Sequence, residues 1–549
     1  QPQEIKGVTD LLRKLAKATG MAQASATLGR GIGALADITR LSAVFAKLEK
    51  ARQIAALETT DLEVLTSSNI AILSSVQLQA LTTSQIAGLS SQQVLDLSTS
   101  TLRNLTTRQV GAIETTDLVA MTTAQLLALS SSQLQALSTA QVVELTSEQL
   151  AGLNSAAVNA LTTNQLSALS SSKLNFLDTA SVVGLTSTQL ASLTTTQTSG
   201  LSTATVAALN TNAVISLTTA QIVALTTNQA AGLTTTAVMA LTTAQIAAME
   251  TVDVASLNTT NIAALSSVQV QSLTTRQIIG LTTAQISALT TTTLQALTTK
   301  QIAALETGDI TLLGSTNVTS LSSNQLRALN TAQISGLTSA QLASLGAAQL
   351  SQLKANQMPG VSSGNLNILT SGVVVAFSGT QVAGLTTTQL TSLTSTTLSY
   401  LSTSAVSGLT TNQIAALTTK QVSTLNTITL SGLTTSQIVS FETVDLAVLS
   451  SDQIASLSST QIRALNSLQI LGLTTTQISE LSFNTLKMLT TQQVASLENT
   501  DIALLGSNIT ELSSTQLRAL NTAQVNGLTT AQLVSLGSSS LNLSLIHIS

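Results

Sequence analysis

The residues best placed to do chemistry are six carboxylate pairs, each a Glu followed three positions later by an Asp. They are Glu58 and Asp61, Glu114 and Asp117, Glu250 and Asp253, Glu306 and Asp309, Glu442 and Asp445, and Glu498 and Asp501. Hard cations take several carboxylate oxygens, so these pairs are candidate Ca²⁺ ligands shared between turns of a repeat. No pair sits in the Asx- and Gly-bearing loop of an EF-hand, and no GGxGxDx nonapeptide is present. The same spacing also places both acids in a first helical turn, where negative charge complements the helix dipole. Other chemistries have little to work with. There is no cysteine, and His547 is the only histidine, which excludes disulfides, thiolate metal sites and most acid–base dyads. Ser and Thr abound, but no GxSxG elbow appears and no His stands ready as a base. There is no Walker loop, and GRGIG at 29–33 lacks both GxGxxG spacing and a preceding strand, so it is read as a turn between helices. Charged residues along the array stand singly, leaving no acid–base pair to nominate. The expectation is a chain that is not an enzyme and carries no catalytic residues and no cofactor.

The elements that position these carboxylates follow from one period. From Leu57 to Leu505 every eighth residue is large and apolar, 57 positions in succession, of which 51 are Leu. One residue is then missing between Leu505 and Leu512, and the phase resumes at Leu520. With Leu in slot 1, the consensus is L-[TS]-[TS]-x-Q-[ILV]-x-[AGS], as in LTTAQIAA at 241–248. In a continuous helix, eight residues advance slot 1 by about 80° and leave no stripe to bury. In a continuous strand, slots 1 and 6 point to opposite faces. A broken helix satisfies every slot. The slot-2 Thr or Ser becomes the N-cap and the slot-5 Gln becomes N3, forming a capping box; slots 1 and 6 become the partners of a hydrophobic staple. Of the 22 Gly after residue 50, 13 lie in slot 8, where a short helix needs a terminating Gly. Small residues there also let adjacent turns approach closely. Helices this short are unstable alone, so they must stack. The predicted fold is all-α, a tight solenoid of short N-capped helices, one per octad. The alternative is a β-solenoid with 24-residue coils of three octads, since Thr, Ile and Val favour strands.

A longer period overlies the octad. The acidic octads are separated alternately by seven and by seventeen octads, giving a 192-residue super-repeat of 24 octads. The segment 322–342 recurs at 513–533, one residue short of that period because of the missing residue. Recent duplication and a superhelical period both account for this. Residues 51–542 are thus the solenoid. Residues 1–50 differ, with eight basic and four acidic residues and amphipathic helices predicted over 8–20 and 36–57. They are expected to form an N-terminal helical cap, the alternative being a basic helix lying on a membrane. The final LSLIHIS, 543–549, resembles a translated sequencing adaptor, so a metagenomic fragment is expected; no secretory h-region is visible near Gln1.

The LTTxQIxA octads resemble the repeat tracts of very large bacterial surface or secreted proteins, often described as haem-utilisation or adhesion proteins. The resemblance covers 51–542 and implies an extracellular or cell-surface spacer or adhesin. A haem role has no axial His or Cys in the array, and Met is rare. The expected function is a non-enzymatic structural or adhesive repeat protein: a stalk, adhesin rod or filament component. It would bind itself, surface glycans or proteins by multivalent weak contact. Alternatives are a self-assembling filament or ring subunit and a Thr-array ice-binding module. A net charge of −4 gives no attraction for nucleic acid. No 18-residue apolar run is present to span a bilayer as a helix.

Overall fold

The computed structural model describes residues 54–63 and 65–545. The expected cap over 1–50 and the end of the LSLIHIS segment, His547 included, lie outside the described residues. The chain divides into two compact units, the first ending at Leu281 and the second starting at Thr282.

In each unit the octad is one short helix and one corner. Helices run four to six residues, as in Ser171–Leu174, Thr107–Gly111 and Thr243–Ala248. Among the described residues there is no strand, which overturns the β-solenoid alternative. The helix starts where the sequence places it. Slot 2 is extended and its side chain caps slot 5, as Thr122 does for the Gln125 N–H. Slot 1 and most of slots 5 and 6 are buried, for example Leu81, Gln85 and Ile86 in the first unit and Leu409, Gln413 and Ile414 in the second. An occasional polar residue in slot 6 is satisfied locally. Buried Thr198 donates its hydroxyl to the Thr194 carbonyl at 3.0 Å.

The corner is not turned as the glycine count predicted. Slot-8 glycines keep right-handed backbones, with φ −89° at Gly152 and −81° at Gly280. The turn is made instead by slots 1 and 2, both extended. Leu129 has φ −64° and ψ 135°, and Ser130 has φ −68° and ψ 161°. These are polyproline-II values that Leu, Ser and Thr adopt without strain. Glycine is needed for close approach. A Cβ on Gly152 would lie 2.1 Å from Thr123 Cγ2, and one on Gly408 would lie 2.2 Å from the Gly379 backbone. Each contact is with the octad three repeats earlier.

Three octads therefore close one 24-residue turn, and each helix stacks on the third helix before it, as Thr107–Gly111 does on Thr83–Ala87. Octads adjacent in sequence meet through their slot-1 and slot-6 side chains in the core, as Ile454, Ile462 and Ile470 do around one small cavity. Two octads of the second unit depart from the rule. Ala355–Gly360 is a 3₁₀ helix containing Pro359, whose missing N–H cannot continue an α-helical ladder. The octad that lacks a residue becomes the 3₁₀ helix Gly506–Glu511, entered through Gly506 at φ 52°. The tighter turn absorbs the missing residue. The last helical stretch, Thr530–Leu545, is broken at Gly537, where φ is 65°.

Candidate functional site

The most distinctive chemistry in the fold belongs to the slot-5 side chain. In octad 81–88 the Thr82 N–H donates to Gln85 Oε1 at 2.7 Å, and the Gln85 N–H donates to Thr82 Oγ1 at 3.2 Å. This is the predicted capping box. The amide nitrogen does something the sequence reading did not anticipate. Gln85 Nε2 donates to the carbonyls of Leu57 at 2.7 Å and Ile54 at 3.0 Å, 28 and 31 residues earlier. These carbonyls belong to the same corner one coil below. Short helices leave their last carbonyls without intrahelical partners, so one buried amide caps the start of its own helix and the end of another.

The pattern recurs as a ladder in both units. Gln221 bonds the Leu190 and Leu193 carbonyls at 2.7 and 2.8 Å. In the second unit Gln413 bonds those of Val382 and Leu385 at 2.9 and 2.6 Å. After the seven-residue step the register becomes 27 and 30, yet Gln516 still reaches Leu489 at 2.7 Å and Leu486 at 3.0 Å. Other donors substitute. Asn261 Nδ2 reaches the Leu233 carbonyl at 3.0 Å. The Lys173 ammonium donates to the Leu145 carbonyl at 2.9 Å and also to that of Val143. The corner thus accepts an amide or a full positive charge.

A signal for this was present in the sequence. A capping box accepts Glu as readily as Gln at N3. Slot 5 holds Gln at 33 of the 56 positions from 61 to 501 and Glu at none. A Glu would cap its own helix equally well but offers the carbonyls no donor.

The six carboxylate pairs are placed by the same rule. Every Glu sits exposed in slot 2, while Asp61, Asp117, Asp253, Asp445 and Asp501 are buried in slot 5 and Asp309 is partly buried. The structure keeps the pairs apart, and among the described residues no three His, Cys, Asp or Glu converge on a common point. In four pairs the slot-5 Asp accepts the N-cap amide, and three of them are full capping boxes. The N–H groups of Glu58, Glu306, Glu442 and Glu498 donate to Oδ2 of Asp61, Asp309, Asp445 and Asp501 at 3.1, 2.8, 3.2 and 2.9 Å. Burial pushes the Asp309, Asp445 and Asp501 carboxyls above the usual aspartate range; the Glu backbone N–H opposes this and the Glu charge adds to it.

Asp117 and Asp253 differ. Asp117 Oδ1 accepts the Ser91 hydroxyl of the coil below at 2.6 Å. Asp253 is likewise bonded by the Thr227 side chain, and burial raises its pKa against that hydrogen bond, with Glu250 adding to the rise. Oδ2 of each is buried without a hydrogen-bond partner. Lys487 pairs with Glu511 at 3.3 Å and lies over the Phe483 ring.

A family model described as the ALTTAQ repeat matches residues 54–91, 110–147, 246–283, 302–339, 318–355 and 509–538. The first four matches begin seven, seventeen and seven octads apart, as the acidic octads do. The fifth and the last contain the two copies of the recurring segment, 322–342 and 513–533. The repeat-tract character of the chain rests on these recurring matches, which together with the helical coil define a structural repeat protein. No curated protein matches the sequence. No described helix is long and apolar enough to cross a membrane.

Proposed function

We propose that this chain is a non-enzymatic structural and adhesive repeat protein of the cell surface or extracellular space. The observation that carries the reading is where the two kinds of polar group go. The amides and most slot-5 carboxylates are buried at the corners and occupied with the fold itself. The slot-2 hydroxyls cap their own helices, whereas those of slot 3 face outward at 24-residue intervals. Thr219, Thr243 and Ser267 are all exposed on one edge of the first unit. An edge of this kind offers many weak, uncharged hydrogen-bonding contacts whose strength comes from number. It suits glycans or another hydroxyl-rich surface, and the resemblance to bacterial surface proteins supports the location.

The test is retention of the full chain on glycan-coated surfaces at low and at molar salt. At about 1 M salt the screening length falls to about 3 Å, so charge-driven adhesion is lost while hydroxyl-driven adhesion remains. Retention that survives molar salt is the expected result. A steep loss with salt, or no retention on any glycan surface, contradicts the reading.

A further inference from the structure

Asn261 shows what a short slot-5 side chain does when it is neutral. Its Oδ1 accepts the Thr235 hydroxyl of the coil below at 2.8 Å, and its Nδ2 donates to the Leu233 carbonyl at 3.0 Å. Asp117 and Asp253 adopt the first half of this arrangement with the equivalent hydroxyls, those of Ser91 and Thr227. The second half fails, because where Asn carries an N–H they carry an oxygen. The register of the glutamine ladder assigns the corner carbonyls of Leu89 and Ile86 to Asp117, and those of Leu225 and Ile222 to Asp253. A carboxylate brings those carbonyls no hydrogen to accept. Both side chains are sealed from water, Asp117 at 3% and Asp253 at 1% exposure, and Oδ2 of each has no partner.

A buried charge is tolerated only when it is paired. Lys173 shows that the same kind of corner takes a positive charge, through the carbonyls of Leu145 and Val143. At the two Asp octads the N-cap is an exposed Glu that makes no side-chain cap bond. Each octad therefore holds one buried and one exposed carboxylate, a charge that matches a divalent ion. Carboxylate and carbonyl oxygens are the donor set that Ca²⁺ prefers.

We propose that Asp117 and Asp253 each bind one Ca²⁺ between their unpartnered Oδ2 and the corner carbonyls of the coil below, with Glu114 and Glu250 completing the charge. Two sites in the first unit are implied, each bridging successive coils. With few protein ligands the affinity is in the weak range of extracellular modules, about 10⁻⁴–10⁻³ M. The inference is independent of the adhesive reading, since it concerns coil-to-coil bonding and not the outer surface.

The experiment is equilibrium dialysis of the full chain against ⁴⁵Ca²⁺, paired with thermal melts in CaCl₂ and in EDTA. The comparison is the double variant Asp117→Asn with Asp253→Asn, which installs the arrangement already present at Asn261. The proposal expects the unmodified chain to take up two more Ca²⁺ than the variant, and Ca²⁺ to raise its melting midpoint while leaving the variant unmoved. A second variant with Ser at both positions, following Ser181 in slot 5, guards against misfolding of the first and is expected to lose the same two ions. Equal uptake by the unmodified chain and either folded variant overturns the proposal. So does a chain that takes up no Ca²⁺.

Discussion

Asn261 and Asp117 occupy the same place in octads 257–264 and 113–120, differ by a single heavy atom, and meet the coil below in different ways. Both accept a hydroxyl from the third octad before them. Only Asn261 then gives a hydrogen to the corner carbonyl. The backbone follows the same octad plan in each. What changes is whether slot 5 brings a hydrogen-bond donor to the coil below. The contrast teaches that the eight-residue unit has two separable parts. Slots 1, 2 and 6 build a helix and a corner, and slot 5 decides how firmly one coil holds the next.

Four expected outcomes test this difference. The largest effect comes from turning a regular octad into an acidic one. Gln277 donates to the carbonyls of Ile246 and Met249, both at 2.8 Å. Gln277→Glu keeps the length and the cap but sets an uncompensated buried carboxylate against both carbonyls. A loss of about 3–5 kcal/mol is expected, measured as a drop in hydrogen-exchange protection across helix Thr275–Ile279. Gln277→Leu removes the donor without adding charge, and a smaller loss of about 1–3 kcal/mol is expected for the carbonyls left unsatisfied. Equal losses for the two would mean that the ladder is packing and not hydrogen bonding.

Acidity should act on the carboxylate steps alone. Asp445 and Asp501 have pKa values raised by burial, so the folded chain holds their protons more tightly than the unfolded chain does. The stabilisation from protonation is fully present below the unfolded value of about 3.8 and is lost as pH rises through the raised folded values. Melting midpoints should therefore climb on mild acidification from neutrality, and the climb should shrink in the Asp445→Asn, Asp501→Asn double variant. A midpoint that falls over that range would contradict the burial argument.

The smallest effect is expected at Lys173. Lys173→Gln exchanges one donor for another on the same carbonyls, so stability should change by less than about 1 kcal/mol in denaturant melts.

The helix starts, the buried slots 1 and 6, and the Thr–Gln capping box are legible in the sequence because all their partners lie within one octad. The residue missing before Leu512 is legible too, although its accommodation through Gly506 at positive φ is not. The sequence suggests a three-octad coil only for a strand architecture, because the bonds that set the helical coil join atoms more than three octads apart in the chain and leave no local pattern. The slot-8 glycines are legible as close-approach positions but not as ordinary right-handed helix ends; two extended residues already turn the corner. The six carboxylate pairs stand out in the sequence, but the pairing of Asp117 with Ser91 does not, since a contact across coils has no signature in either octad alone.

The coil requires that helices three repeats apart be stacked neighbours. A chain without cysteine allows a direct test by introduced pairs. Ser155 Cβ lies 3.5 Å from where a Cβ on Gly184 would stand, within the span a disulfide bridges. Under mild oxidation the Ser155→Cys, Gly184→Cys chain should close this bond rapidly, and the Ser155→Cys, Ser192→Cys chain, one octad out of step, should not. Cross-linking of the second pair as readily as the first, or of neither, would contradict the coil.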